Sequence, residues 1–145
     1  MKNKNASMNK GQALAEFALV LPMLLLLVMG TIDLGRAVYY KSAIANASRE
    51  AVRYGAINYC DNAGISKIAQ DYSVGIRDDV KVDGISIKYF TKDEVTTPEY
   101  ISVSLSYNFV PITPMIGSFL GVDGTIVLNE EATQQIEQTP VCAAK

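Results

Sequence analysis

A glycine, a lone acid and a long apolar run stand at fixed spacing near the start of the chain, and their types and order invite a chemical reading. The residues are Gly11, Gln12, Glu16 and Phe17, then ALVLPMLLLLVMGTI, then Asp33 and Arg36. A carboxylate inside an apolar stretch costs about 2.5–3.5 kcal/mol or more in a bilayer and is usually kept with a partner. Two readings of Glu16 stand side by side. In one it lies near the interface and snorkels to water. In the other, a cut after Gly11 makes Glu16 the fifth residue of a new chain and frees an α-amino group at Gln12. That amine gives Glu16 of a neighbouring subunit a cationic partner where screening is weak. A glycine before the cut has a physical use, because a peptidase must draw the extended backbone close.

The element that positions these groups is a helix. Gln12 to Ile32 is 21 residues, which at about 1.5 Å of rise each span roughly the 30 Å hydrocarbon layer of a bilayer. Glu16 is the only charge in that run, and Pro22 removes one helical donor, a defect that transmembrane helices tolerate. Lys2, Lys4 and Lys10 precede the run, whereas Asp33 and Arg36 follow it without excess positive charge. The positive-inside rule therefore puts the N-terminus in the cytoplasm and the bulk of the chain outside it. The expected organisation is a cleaved cytoplasmic leader at 1–11, a long helix at 12–59 with its transmembrane part at 12–33, and an extracytoplasmic domain at 60–145 packed on the helix. A secretory signal peptide is the competing account of the N-terminus. Against it, the apolar region exceeds the usual length of about 7–15 residues and has no small-residue cleavage site close behind it.

These residues resemble the type IV pilin superfamily and, within it, TadE-like proteins, the minor pilins or pseudopilins of Tad (Flp) pilus machinery. The resemblance rests on the Gly11/Gln12 junction, Glu16-Phe17, the ALVLP of 18–22, the IDLGR of 32–36 and the small and basic run from Ala47 to Ala56. It implies cleavage by a prepilin peptidase on the cytoplasmic face of the inner membrane, commonly with methylation of the new terminus. It also implies partnership with other pilin-like subunits and a pilus assembly platform, and a role in building or priming a pilus. Under it, Asp33 and Arg36 at the membrane exit face other subunits. The alternative is a signal-anchored extracytoplasmic binding domain whose uncleaved helix is only a tether.

Composition narrows the function classes. The chain has 145 residues, no His and a formal net charge of −2, and loss of the three leader lysines leaves 10 basic against 15 acidic side chains. Such a field is a poor nucleic-acid binder. Without His the commonest general base and metal ligand near neutral pH is missing, which argues against an enzyme, and no cofactor or small-molecule substrate is evident.

Beyond the membrane the helix is expected to continue, since residues 33–59 lack proline and are rich in Ala, with Arg, Lys and Glu among them. Ala37, Tyr40, Ile44, Ala47, Ala51 and Tyr54 form an apolar and small-residue stripe, and Ser42, Asn46, Arg49 and Arg53 a polar one. Asp33 and Arg36, at i and i+3, are read as an interfacial charge pair worth about 0.5 kcal/mol or less. Residues 60–64 break the helix, and Ile65, Ile68, Ala69 and Tyr72 mark a second helix ending before Asp78. The period then changes to two. One or two short strands are expected around an Asp83-Gly84 turn, a clear strand at 101–109 after a loop at 91–99, and a third strand at 125–128 that resumes after a break through Ala132 to Ile136. The apolar excursion MIGSFLG at 115–121 is read as a short helix or a packed loop. The fold class is therefore α+β: a long N-terminal helix, a second helix and a three- to four-stranded antiparallel sheet.

Cys60 and Cys142 fall on the expected extracytoplasmic side, where a bridge can persist and would tie the C-terminal tail to the end of the long helix. With two cysteines and no histidine, a zinc site is not expected, and no loop has a calcium-binding pattern. Asp78-Asp79, Asp93-Glu94 and Glu130-Glu131 read as solvated surface. The serines of 101–109 form a polar face with no histidine or suitably placed lysine to activate one. Tyr39, Tyr40, Tyr54 and Tyr59 read as packing residues.

Overall fold

A computed structural model describes residues 4–92, 95–113 and 124–137. Helix α1 runs from Lys4 to Ile57 without interruption, and Pro22 lies inside it. At about 1.5 Å per residue it is roughly 80 Å long. It begins earlier than the sequence suggests, because the polar leader holds no proline and extending an existing helix needs no new nucleus. It ends two residues sooner than expected. The Asn58 side chain donates to the Tyr54 carbonyl at 3.4 Å and the Asp61 amide to the Asn58 carbonyl at 3.0 Å, which turns the chain at Tyr59-Cys60.

Helix α2, Asn62–Tyr72, is capped by Asp61, whose carboxylate accepts from the Gly64 amide at 3.0 Å and from the Tyr54 hydroxyl at 2.9 Å. The Gly64 N–H, and after it the Tyr54 hydroxyl, hold the Asp61 carboxyl below its ordinary range. A Cβ at Gly64 would run into that carboxylate, so the cap requires glycine there. The helix stops at Tyr72, well before Asp78, where Ser73 turns its hydroxyl back onto the Ala69 carbonyl at 2.6 Å and Gly75 takes a positive φ of 83°.

Three antiparallel strands follow in the order β1 (Val80–Lys92), β2 (Val95–Phe109) and β3 (Ile126–Gln135). Several strand boundaries differ from expectation. Asp83-Gly84 is a bulge within one continuous strand: Val82 pairs with Leu105 and Gly84 with Ser104, leaving Asp83 as the extra residue, with its carboxylate accepting from Ser106 Oγ at 2.8 Å. The expected loop at 91–99 is mostly strand, with Lys92 opposite Val95. Pro98 is accommodated beside a second bulge, where Tyr89 faces Pro98 and Lys88 faces Tyr100. Residues 126–135 form one unbroken strand, alternating half-buried and exposed along its length. The segment 115–121 lies outside the described residues.

The core forms where the second half of α1 meets α2 and the sheet. Ile44, Ala47, Ala51, Val52 and Ala56 of α1 are buried against Ile65 and Ala69 of α2 and against Ile101, Val103 and Leu105 of β2. The apolar stripe is thus the core face, with Tyr40 and Tyr54 at its margins, and Ser42, Asn46, Arg49 and Arg53 are all exposed. Small residues on α1 let β2 come close. A Cβ on Gly55 would stand 2.7 Å from Ile101 Cδ1 and 3.2 Å from Ile65 Cδ1. Ser102 and Ser106 on the outer face of β2 are more buried than a solvated face would be, because β2 is the central strand; Ser102 Oγ meets Thr133 Oγ1 at 2.7 Å.

Candidate functional site

The first half of α1 is exposed all round. Every residue from Gly11 to Met29 is exposed, including Leu14, Phe17, Leu19, Met23 and Leu27, and the most apolar window of this helix has mean hydropathy 2.3. Surface of that kind, on all sides of one helix, is stable in lipid or against other apolar helices and unfavourable in water. It is the only helix among the described residues long and apolar enough to cross a bilayer. Gly11, Gln12, Glu16 and Phe17 all lie on this girdle. No described residue makes a hydrogen bond or ion pair with Glu16, so any counter-charge within the fold would have to come from elsewhere.

Asp33 and Arg36 form more than an interfacial pair. Asp33 is only 3% exposed, and its carboxylate takes the Ile112 amide at 2.9 Å on Oδ1, the Thr113 amide at 2.7 Å on Oδ2, and Arg36 Nη1 at 3.2 Å on Oδ1. Two consecutive backbone donors just past the end of β2 are thereby held on the helix at the residue that follows the apolar run. The Arg36 guanidinium lies 5.3 Å from the Phe109 ring centre and 5.7 Å from that of Tyr40, which itself packs on Tyr107 at 5.1 Å. Arg36 is thus sandwiched between its carboxylate and an aromatic wall. What the pair reading left out is the two amide bonds, since hydrogen bonds to a charged acceptor contribute about 1.5–3 kcal/mol. No side-chain pattern could reveal this contact, because the partners of Asp33 across the fold are backbone amides. The one trace in sequence is Pro111 and Pro114, which bracket the two donors.

Two concavities flank the lower end of β2. A polar cleft of about 420 Å³ on the β1 side is lined by Arg36, Asp78, Asp79, Lys81, Tyr107 and Asn108, with Val110 as its one aliphatic residue. An open apolar groove of about 350 Å³ lies on the β3 side. Asp78 and Asp79 are exposed, Glu130 pairs with Lys41 at 3.0 Å, and Glu131 is exposed on the other face; Asp93-Glu94 lies outside the described residues. No group of three acidic, His or Cys side chains that could hold a metal occurs among the described residues. Tyr39, Tyr54 and Tyr59 serve the packing and capping already described: Tyr39 contacts the Val74 carbonyl, and Tyr59 is buried. Cys60 lies in the exposed turn after α1, and Cys142 lies outside the described residues.

Residues 11–53 match the family of TadE-like proteins. No curated protein and no solved structure matches the chain. The TadE-like segment begins at Gly11, contains Glu16, Phe17, Asp33 and Arg36, and ends at Arg53. It therefore combines the exposed girdle, the Asp33 clamp and the α1 face of the core as far as Val52. The sheet that covers this TadE-like helix lies outside the matched residues.

The clamp generates a prediction. Asp33→Ala should leave two adjacent amides and Arg36 without their acceptor, and destabilise the packed part by about 3–5 kcal/mol, the scale of a broken buried ion pair. Asp33→Asn, which keeps one acceptor oxygen, should cost less. Denaturant midpoints in detergent would check the order wild type, Asn, Ala; equal midpoints for all three would remove the clamp from the account.

Proposed function

We propose that the chain is a TadE-like minor pilin or pseudopilin. It is a single-pass inner-membrane subunit with a cytoplasmic N-terminus and an extracytoplasmic packed part, and it takes part in assembly of Tad (Flp) pili or the related secretion machinery. The observation that carries this reading is Glu16, an exposed acid without a partner among the described residues, on an apolar girdle inside the TadE-like segment. A tether needs only apolar surface. An acid placed there is costly unless another molecule brings the counter-charge.

On this reading, prepilin peptidase cuts between Gly11 and Gln12 on the cytoplasmic side. Gly11 lies inside α1, where glycine costs about 1 kcal/mol relative to alanine, so the helix is locally weakened where the backbone must be drawn out. The freed amine of Gln12 then pairs with Glu16 of a neighbouring pilin-like subunit, Phe17 and the surrounding apolar side chains pack between helices, and the assembly platform receives the processed chain. On the same reading the leader is 1–11, the transmembrane part 12–33 and the extracytoplasmic part 60–145.

Three outcomes test the reading. Intact mass of membrane-extracted protein should show loss of residues 1–11, and a bulky residue in place of Gly11 should leave the precursor uncut in the membrane. A wild-type mass that retains the leader would instead favour the uncleaved anchor of an extracytoplasmic binding domain.

Glu16→Ala should insert and be cut normally, because the acid lies on the membrane side of the scissile bond. It should be recovered mainly as unassembled membrane protein. Leaving the Gln12 amine unpaired costs about 3–5 kcal/mol, enough to weaken association by hundreds-fold or more. Normal crosslinking to other pilin-like subunits would return Glu16 to a snorkelling role.

Cys60 and Cys142 should be linked in protein isolated without reductant. Closing a loop of about 80 residues stabilises by roughly 4–5 kcal/mol on the chain-entropy account. Peptide mapping after thiol blocking reads the bridge directly, and two alkylated cysteines would exclude it.

A further inference from the structure

The lower edge of the sheet carries apolar side chains that the pilin reading leaves without a task. Val110 and Ile112 are 58% and 59% exposed, although they follow directly on the buried end of β2. Their height along α1 is fixed. The Ile112 and Thr113 amides bond to the Asp33 carboxylate, and Asp33 is the residue after the apolar run that ends at Ile32. The turn at 110–113 therefore stands at the level where α1 leaves the hydrocarbon layer. Beside it, the open groove of about 350 Å³ is lined by Gly30, Leu34, Ala37, Phe109, Pro111 and Ile126, with Asp33 the one charged residue on its wall. Gly30 directly follows the apolar girdle, which ends at Met29, so the groove continues the surface that α1 presents to lipid.

We propose that the underside of the packed part is a lipid-binding surface. Val110 and Ile112 enter the outer boundary of the bilayer, and the groove between α1 and the β2–β3 edge receives the acyl chain of a neighbouring phospholipid. The occupant is a lipid because the groove opens from the girdle at the depth of Gly30, where the surrounding solvent is hydrocarbon. The wall of the groove also offers almost no polar side chains that a protein segment's backbone could bond. Apolar side chains at such a boundary bury about 5–10 Å into the headgroup and acyl region. The seat fixes the sheet against the membrane before assembly, and extraction of the subunit must break it. This inference rests on the membrane-anchored reading of α1.

The absence of tryptophan from the chain makes a direct test available. Single substitutions Ile112→Trp, Val110→Trp, Met23→Trp and Tyr89→Trp, each in the full chain, are reconstituted into phosphatidylglycerol–phosphatidylethanolamine vesicles whose acyl chains carry bromine at shallow or deep positions. Met23 reports the girdle and Tyr89 the far end of the sheet. Ile112→Trp and Val110→Trp should show blue-shifted emission and stronger quenching by shallow than by deep bromine. Met23→Trp should be quenched most by deep bromine, and Tyr89→Trp should be red and unquenched. If Met23→Trp is quenched while both edge variants behave like Tyr89→Trp, the lipid seat is overturned and the anchored reading stands. Blue-shifted edge variants without quenching would place a protein there, a second copy included, and overturn the lipid assignment. An unquenched Met23→Trp would overturn the anchored reading and the seat with it. Two edge positions are used so that misfolding of one leaves the other to decide.

Discussion

The Asp33 carboxylate is where one helix passes from serving an apolar surrounding to serving a protein core, and the placement of the sheet depends on it. A buried carboxylate needs its oxygens satisfied, and here the supply is two consecutive amides from residues 112 and 113 with Arg36 beside them. Those amides lie about eighty positions away in the chain, so the contact fixes the end of β2 against a defined turn of α1. The fixed turn in turn sets how far the sheet can slide along the helix. Below it the helix is exposed on every side; above it, successive turns carry Ile44, Ala47, Ala51 and Ala56 into the core.

Packing above the clamp is made possible by small side chains. Ala47, Ala51, Gly55 and Ala56 give α1 a flat face, and the branched side chains of Ile101 and Ile65 fill the space that a larger residue at Gly55 would occupy. Helix propensity and packing disagree at Gly55, where glycine costs about 1 kcal/mol in a helix interior. Close approach of β2 decides in its favour. At Gly11 nothing stands within 4 Å of a Cβ, so packing does not call for glycine there.

What sequence could show followed from periodicity and from cost. The period of near four in residues 37–54 identified the buried and exposed faces of α1, the period of two in 101–109 identified β2, and the expense of a lone acid in an apolar run singled out Glu16. What it missed has a common cause. Asp83-Gly84 and Pro98 are strong local turn signals, yet each sits in a long antiparallel ladder that absorbs the irregularity as a bulge. Pairing along a whole strand outweighs a local preference worth about 1 kcal/mol. Asp33 was legible as a charge beside Arg36 but not as a clamp, because amide partners have no residue identity. The leader has no apolar periodicity to mark a helix, yet α1 extends through it from Lys4.

Continuity of α1 also bears on how such a subunit could work. Between Glu16 and Asp33 the helix rises about 25 Å, with Pro22 within it and no break. A contact made at Glu16 is therefore connected to the sheet by one covalent, hydrogen-bonded rod and by the Asp33 bonds at its upper end. A flexible tether would let the packed part lag behind any movement of the girdle. Here the sheet is held to the helix by the two amide bonds at Asp33 and by the small-residue interface above them. The exposed girdle and the packed part are thus joined by one unbroken helix, and the Asp33 carboxylate, through its two amide partners, ties the chain just past β2 to that helix where the apolar run stops.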